Sequence, residues 1–576
     1  MPVVDALTSI SSFQSRLPAI SSARGTVTHG SLVESARSIS SELIDRGVLP
    51  GDGIAIEFRT SERLPELYLA CWLSGAHVIP LDAAHPPARR ELAMSLAGAV
   101  WVLTPAADAV DVCRIADRPR RPVAPDLAYA MLTSGSTGTP KCVGVTHANL
   151  DWLVGRGAAT VGSRDIRRWS SIHSPAFDFS IWEFLVPLVN RGTTVVIDRP
   201  VVLNPFALSS ALHEEEVELF STTPQLLYVL ADVWERHGVP PALRLIVSGG
   251  DVLHADRLVD LRKANPELRI VNMYGITETT VHVTSTDIGA DDKPATTVGA
   301  ALDGVSVSVC SPAGRPLPPG VAGEIRVAGA GVSAGYLNDP RHTARSFVPD
   351  DSPGAIGRRS YRTGDLARLG ADGELEYLGR VDDQLTVRGH RVDPHEVEAA
   401  ARRAVNITDC CVGLLRSGPG AGRLTLVYTA ERTGPPDADL EAGLLTRLRE
   451  ELPAAMVPTV VGRVESLPLT TNGKVDRDAA VAALRAAPIV AEAEAEAEAG
   501  PDRADPSPIE EIWCTLLGKR PAGPHVSFFG EGGDSLLAMR LLSGVERVTG
   551  VRVPVHDFFD RPTIHTLQAL TKDRDV

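Results

Sequence analysis

Cysteine is scarce in this chain, with seven among 576 residues. There is no Cys-x-x-Cys pair and no His/Cys cluster at zinc spacing. That odd, scattered set argues against a disulfide framework or a structural zinc site and suits reduced thiols in a cytoplasm. Basic residues are outnumbered, 57 Lys plus Arg against 72 Asp plus Glu, which leaves a net charge of −15. The arginines are scattered rather than grouped. Phosphate-backbone binding needs clustered Lys and Arg, so a nucleic-acid partner is excluded. Residues Met1 to Ala6 offer neither the basic region nor the apolar core of a signal peptide. No apolar run is long enough to span a bilayer. The expectation is a cytoplasmic protein with no membrane contact.

What is present is ordinary globular composition, 44% hydrophobic and 22% charged. The length calls for two to four domains. Up to about residue 380, short β-branched runs alternate with helical patterns. Thr194–Ile197 and Leu243–Val247 read as strands; Ser31–Arg46 and Pro224–His237 read as helices. Such alternation predicts an α/β fold with largely buried sheets. Between 301 and 337, Val305–Val309 and Gly323–Val327 flank Pro/Gly turns and predict a small antiparallel sheet or barrel. A second unit, small and α+β, mixes strands at Leu385–Val387 and Leu424–Val427 with helices at Pro394–Ala404 and Asp437–Glu451. Ala491–Ala499 alternates Ala with Glu and has nothing large to bury, so it reads as a solvated linker. About 20 flexible residues span on the order of 25 Å root-mean-square. The remaining residues form a small helical bundle, with helices at Pro508–Leu517, at Leu536–Val548 closed by Gly550, and near Thr563–Leu570.

One loop stands out. After the apolar run Leu127–Leu132 comes Thr133-Ser134-Gly135-Ser136-Thr137-Gly138-Thr139-Pro140-Lys141. Small residues let backbone N–H groups approach a ligand, hydroxyls add donors, and the lysine adds charge, a combination suited to phosphate. The Gly-x-x-x-x-Gly-Lys-[Ser/Thr] spacing is missing, which turns the reading away from P-loop NTPases.

Further stretches line up in order with that loop: Gly75–Asp82, Phe177-Asp178-Phe179-Ser180-Ile181-Trp182-Glu183, Asn272-Met273-Tyr274-Gly275-Ile276-Thr277-Glu278, Gly323–Ile325, Gly335–Leu337, Tyr361-Arg362-Thr363-Gly364-Asp365-Leu366, Gly379-Arg380-Val381-Asp382-Asp383-Gln384, Arg388-Gly389-His390-Arg391, Leu467–Arg477 and Phe528–Leu536. As an ordered set they resemble the adenylation domains of nonribosomal peptide synthetases, of the ANL adenylate-forming superfamily, followed by a peptidyl carrier domain. The resemblance covers nearly the whole chain. It implies an adenylation core over 1–381 (α/β sheets plus a small β-barrel), a C-terminal subdomain over 382–485 with a hinge at Asp382, an acidic linker over 486–506 and a carrier domain over 507–576.

It also implies a ligase reaction in two halves. An amino acid carboxylate attacks the α-phosphate of ATP to give aminoacyl-AMP, and the phosphopantetheine thiol of the carrier then takes the aminoacyl group as a thioester. Positioning and charge neutralisation carry such phosphoryl chemistry. By the resemblance, Thr133, Ser134, Gly135, Ser136, Thr137, Gly138 and Lys141 hold phosphates, Glu278 helps to hold Mg²⁺, and Tyr274 stacks on adenine. Thr277 and Arg380 are further nucleotide contacts, and Asp365 accepts from the ribose hydroxyls. Lys474 bridges substrate carboxylate and phosphate oxygens, Asp382 is the hinge, and Ser535 carries phosphopantetheine. The substrate positions map to Asp178, Phe179, Trp182, Ser221, Ile246, Ser248, Met273, Val281, His282 and Lys474. Asp178 follows Phe177 in an apolar stretch, where a ligand ammonium is a sensible partner for a buried carboxylate. The set is similar to threonine-type sites but has Ser221 where Asn is common and Ser248 where Gly is common. L-Threonine is the best match; 2-aminobutyrate, serine and valine stay open. Ile276 replaces a usual proline, and Pro394-His395 replace a usual Leu-Gly.

There is no His-His-x-x-x-Asp-Gly condensation signature and no Gly-x-Ser-x-Gly elbow. The resemblance therefore implies a stand-alone loading didomain for natural-product (antibiotic) biosynthesis. Its partners would be a phosphopantetheinyl transferase and a trans-acting tailoring enzyme or condensation domain, with an MbtH-like helper also admitted. The rivals are an acyl-CoA ligase of the same superfamily and a non-catalytic carrier scaffold. If Asp382 is the hinge, Asp382→Pro slows switching between the two half-reactions. Stopped assays of each half-reaction check this, and normal rates for both would remove the hinge assignment.

Overall fold

The computed structural model describes residues 2–106, 110–115, 126–134, 140–163, 165–289, 296–350, 357–387, 389–404, 407–415, 422–430, 437–468, 475–486, 507–517, 521, 523–526, 528, 535–551, 553, 557–558 and 561–572. The chain divides into two compact units, Met1–Arg391 and Val392–Val576. The first unit runs on past Asp382 because the following residues are bonded back into it. Ser134 Oγ donates to the Arg391 carbonyl at 2.9 Å, and Arg391 Nε donates to Gln384 Oε1 at 2.7 Å.

The first unit is built on two sheets. The larger has 14 strands. Its α/β half sets Pro18–Ser22, Thr193–Val196, Arg168–Ser171, Leu219–Thr222, Leu245–Gly249 and Arg269–Tyr274 side by side, all parallel. Parallel strands are buried on both faces, and alternation divides their side chains between two apolar clusters. Leu219, Val247, Val271 and Met273 face one cluster with Trp169, Phe179 and Trp182. Phe220, Ile246 and Ile270 face the other with Leu227 and Tyr228. From Arg269–Tyr274 onward the sheet turns antiparallel through Thr284–Asp287, Thr297–Ala301, Leu375–Arg380, Arg359–Leu369, Ala322–Gly329 and Val305–Cys310. The small antiparallel region expected after residue 301 is thus hydrogen-bonded in continuation of the large sheet. The second sheet has seven strands. Within it, the hairpin of Leu127–Thr133 and Lys141–Thr146 brackets the Gly/Ser/Thr loop.

In the second unit, Ile407–Leu414, Leu424–Ala430 and Val460–Arg463 form a three-stranded sheet, accompanied by helices Pro394–Ala401, Asp437–Glu451 and Arg477–Ala486. The Pro394-His395 pair opens the first of these. Proline suits the start of a helix, and Asp393 caps it by accepting from the His395 N–H at 2.9 Å. Three further helices follow, Pro508–Leu517, Ser535–Thr549 and Ile564–Lys572, as the spacing of apolar residues predicts. Trp513, Phe528 and Phe558 are buried among them. The Ala491–Ala499 run lies outside the described residues. Among the described residues no helix is long and apolar enough to cross a membrane.

Candidate active site

Three groups of side chains carry the residues assigned from the sequence. The first surrounds Asp365, which is buried. Its Oδ2 accepts from the Tyr274 hydroxyl at 2.6 Å, and its Oδ1 accepts from Arg380 Nη1 at 2.7 Å. Arg380 Nε also donates to Asp382 Oδ1 at 2.6 Å. Burial raises the Asp365 carboxyl, and the Arg380 guanidinium opposes that rise. Burial acts upward on Asp382 too, but its hydrogen bond and charge pairing with Arg380 hold it below the usual range. Gly364 allows this turn, since its φ is +73° and a Cβ there would sit 2.7 Å from Arg380 Nη2. Tyr274, Asp365, Arg380 and Asp382 are therefore one linked group.

The second group surrounds Glu278, only 1% exposed. Tyr336 donates its hydroxyl to Glu278 Oε1 at 3.0 Å and pairs with the Tyr361 hydroxyl at 2.9 Å. Arg391 Nη1 lies 3.3 Å from Oε2, and Lys141 Nζ stands 4.9 Å from the Tyr336 ring centre. Tyr336, Tyr361 and Arg391 belong to stretches matched in the sequence, but nothing in the sequence alone singles them out as partners of Glu278.

The third group is apolar with isolated polar atoms. Asp178 immediately precedes helix Phe179–Val189. One of its oxygens accepts from the Thr277 side chain; burial pushes the carboxyl up to about 6, the Thr277 bond opposes this, and nearby Glu278 adds to the rise. Among the described residues, Oδ2 is buried with no hydrogen-bond partner. So are Trp182 Nε1, Ser221 Oγ and both ring nitrogens of His282. Burial, with some help from His173, lowers His282 to about 3, so the ring is neutral near pH 7. Its ring meets Phe179 edge-on at 4.8 Å and Trp182 at 5.4 Å. Buried polar atoms without partners are few in native proteins and call for an explanation.

The backbone that presents His282 is strained. Thr280 and Val281 both have positive φ, 62° and 66°, uncommon for β-branched residues and typical of functional sites. Gly275 makes room for it: a Cβ there would meet the Val281 carbonyl at 2.2 Å. The departure at Ile276 also has a physical consequence. Its φ is −141°, outside the range open to proline, and its N–H donates to Thr279 Oγ1 at 3.3 Å.

Strand alternation divides the remaining residues assigned from the sequence. Ser221 pairs with Val247, and Met273 with Gly249. A Cβ on Gly249 would come within 3.2 Å of His282 and 3.7 Å of Phe179, so this face meets the third group. Ile246 packs instead into the opposite cluster with Phe220 and Tyr228, and Ser248 shares its register parity. Thr133 Oγ1 donates to the Lys141 carbonyl at 3.5 Å, and Ser134 meets Arg391 as above. Ser535 opens helix Ser535–Thr549. Gly135, Ser136, Thr137, Gly138 and Lys474 lie outside the described residues. His173, which no sequence pattern marks, bonds to the buried Glu183 and stacks on Phe179.

Residues 11–337 match the family described as AMP-binding enzyme, and residues 507–570 match the phosphopantetheine attachment site. The chain belongs to the AMP-binding enzyme family. It is an adenylate-forming ligase of the nonribosomal peptide synthetase type, with adenylation and carrier parts on one chain. It is 33% identical over 583 residues to a dimodular nonribosomal peptide synthase of Bacillus subtilis, covering 93% of this chain and 24% of that protein. It is 33% identical over 570 residues to phosphinothricin tripeptide synthetase PhsC of Streptomyces viridochromogenes, covering 94% and 50% respectively. The chain thus spans about a quarter of the first relative's length and half of the second's. Among solved structures it is similar to holo-PA1221, an NRPS protein containing adenylation and PCP domains bound to a vinylsulfonamide inhibitor. That similarity has a TM-score of 0.79 and 27% identity, covering 100% of this chain and 98% of that one.

AMP-binding enzymes of this type use ATP and Mg²⁺, and the attachment domain carries covalent phosphopantetheine. The side chains fit these groups. Glu278 offers hard carboxylate oxygens, and among the described residues no cluster of three or more metal-ligating side chains occurs. One buried carboxylate suits an ion that keeps phosphate oxygens and water as its other ligands. A serine opening a helix suits a phosphodiester at the helix N-terminus. Removing the cation from the Asp365 pair is expected to be costly, because a buried charge would be left unpaired. Arg380→Ala should lower the thermal midpoint clearly, and adding Asp365→Asn should restore part of the loss; scanning fluorimetry of the single and double variants measures both.

Proposed function

We propose that this chain activates a small α-amino acid, best matched by L-threonine, as aminoacyl-AMP and transfers it to the phosphopantetheine thiol at Ser535. The observation that carries the reading is the orphaned Oδ2 of Asp178, buried beside an apolar wall. A ligand ammonium pairs with it; an acid without an amine would leave it unpaired at a cost. Phe179, Met273 and Val281 pack against the short side chain. Ser221, His282 and Trp182 supply donors and acceptors for a hydroxyl, while Ile246 and Ser248 back the site through the sheet. A site built to bond a hydroxyl rejects the analogue that lacks one, because its own polar groups then go unpaired.

In this reading Ser134 and Lys141, with the rest of their loop, hold phosphate oxygens. Glu278 would hold the cation, which would neutralise phosphate charge, and Tyr336 and Tyr361 keep that carboxylate in place. Tyr274 packs on the adenine, and Asp365, fixed by Tyr274 and Arg380, accepts from the ribose hydroxyls. Lys474 neutralises the carboxylate and phosphate oxygens during adenylation, and the chain turns at Asp382 before transfer. The partners are a phosphopantetheinyl transferase and a trans-acting enzyme that consumes the thioester, a condensation domain or a tailoring enzyme.

Pyrophosphate exchange with threonine, 2-aminobutyrate, serine and valine tests the reading. Threonine should give the highest kcat/KM, and Lys474→Ala should abolish most of the exchange. The ammonium pairs with the ionised form of Asp178, whose carboxyl is raised to about 6. The KM for the amino acid should therefore rise as pH falls through 6, by about tenfold per unit below it, and Asp178→Asn should remove that dependence along with most of the affinity. Exchange that is equally strong with aryl or fatty acids would contradict the amino acid assignment.

A further inference from the structure

His173 and Glu183 form a carboxylate–imidazole pair that none of the roles above uses. Glu183 lies on helix Phe179–Val189 and is fully buried. Its Oε2 accepts from the backbone N–H groups of Ile172 and His173 at 3.0 and 3.1 Å, and its Oε1 meets His173 Nδ1 at 2.8 Å. Three donors converge on one carboxylate, which calls for a proton on Nδ1; in the neutral ring the lone pair is then on Nε2. Nε2 has no hydrogen-bond partner among the described residues, and the His173 side chain is 11% exposed.

The ring is immobilised beside the residues that flank Asp178. It stacks on Phe179, with centroids 4.7 Å apart and planes at 16°, and meets the edge of Phe177 at 5.4 Å. Its carbonyl accepts from Thr60 Oγ1 at 3.0 Å. The titratable groups around it are Glu183, bonded to it, His282 across Phe179 and His390 across Phe177. A phenylalanine would fill the same stack without the buried carboxylate. A histidine held by a carboxylate at one nitrogen and open at the other is the arrangement that accepts protons in nucleophilic catalysis.

We propose that His173, braced by Glu183, takes the proton of the carrier thiol in the second half-reaction. This rests on the loading reaction proposed above. A C–S bond forms at the acyl carbon, the acyl–oxygen bond to AMP breaks with its electron pair leaving on the phosphate oxygen, and the thiol proton moves to Nε2. The cation so formed is stabilised by Glu183.

The two half-reactions separate the proposal from the reading beneath it. Adenylate formation is measured in the apo-protein by hydroxamate trapping, and loading is measured in the holo-protein by single-turnover intact mass. In His173→Gln, loading should fall on the order of a hundredfold, at least tenfold more than adenylate formation falls. Loading in that variant should climb about tenfold per pH unit from 7 to 8, because it then depends on thiol already ionised. Glu183→Gln should give a smaller loss in the same direction. The ¹⁵N spectrum of selectively labelled apo-protein should show the Nδ1–H tautomer of His173 in the native chain and lose it in Glu183→Gln. Equal losses in both half-reactions, or loading at the native rate and pH dependence in His173→Gln, would overturn the proposal. If His173→Gln does not fold, native loading in Glu183→Gln overturns it instead. Absence of adenylate from the native apo-protein would remove the underlying reading.

Discussion

Asp178 is a carboxylate kept from water, with one oxygen bonded to Thr277 and the other, among the described residues, bonded to nothing. Left in that state it pays a desolvation penalty that only a cation or a proton relieves, which is why burial raises it to about 6. The surrounding structure holds it there. Helix Phe179–Val189 starts at its back, Phe179 and Trp182 close off solvent, and the short turn Thr277–Thr279 brings Glu278 to within electrostatic reach. In the proposed assignment, the amine-binding and phosphate-binding ends of the site join through adjacent residues, Thr277 and Glu278.

The same logic explains the strain after that turn. Thr280 and Val281 adopt left-handed backbone while Thr280 Oγ1 donates to the Gly331 carbonyl at 2.7 Å and the Val283 N–H donates to the Tyr274 carbonyl at 2.8 Å. These bonds hold a conformation the residues would not choose, and the result is His282 set against Phe179 and Trp182. Holding a ring at a fixed place in a dry site outweighs a local cost of roughly 1–3 kcal/mol per strained residue.

Much of this was legible in the sequence. Ordered stretches pointed to Tyr274, Asp365, Arg380 and Asp382, which prove to be one bonded group, and apolar spacing marked the three helices after residue 507. What the sequence did not carry was facing. Ile246 and Ser221 both fall in strands beside the site, but register puts Ile246 in the opposite apolar cluster, a distinction that depends on how neighbouring strands pair. Nor could it show that Arg391 and Tyr336 meet at Glu278, since 113 and 58 residues separate the partners. His173 was missed because a single histidine before a Ser-Pro turn has no pattern; its meaning comes from Glu183, one helix away.

The claim that joins both units is that an amino acid activated by the first is loaded on a serine of the second. Intact mass of the phosphopantetheinylated protein, incubated with Mg·ATP and a pool of amino acids, tests it most directly. The account predicts one added aminoacyl mass, equal to threonine's, that disappears in Ser535→Ala. A protein that releases pyrophosphate with amino acids yet gains no mass, or that gains mass without Ser535, would contradict it.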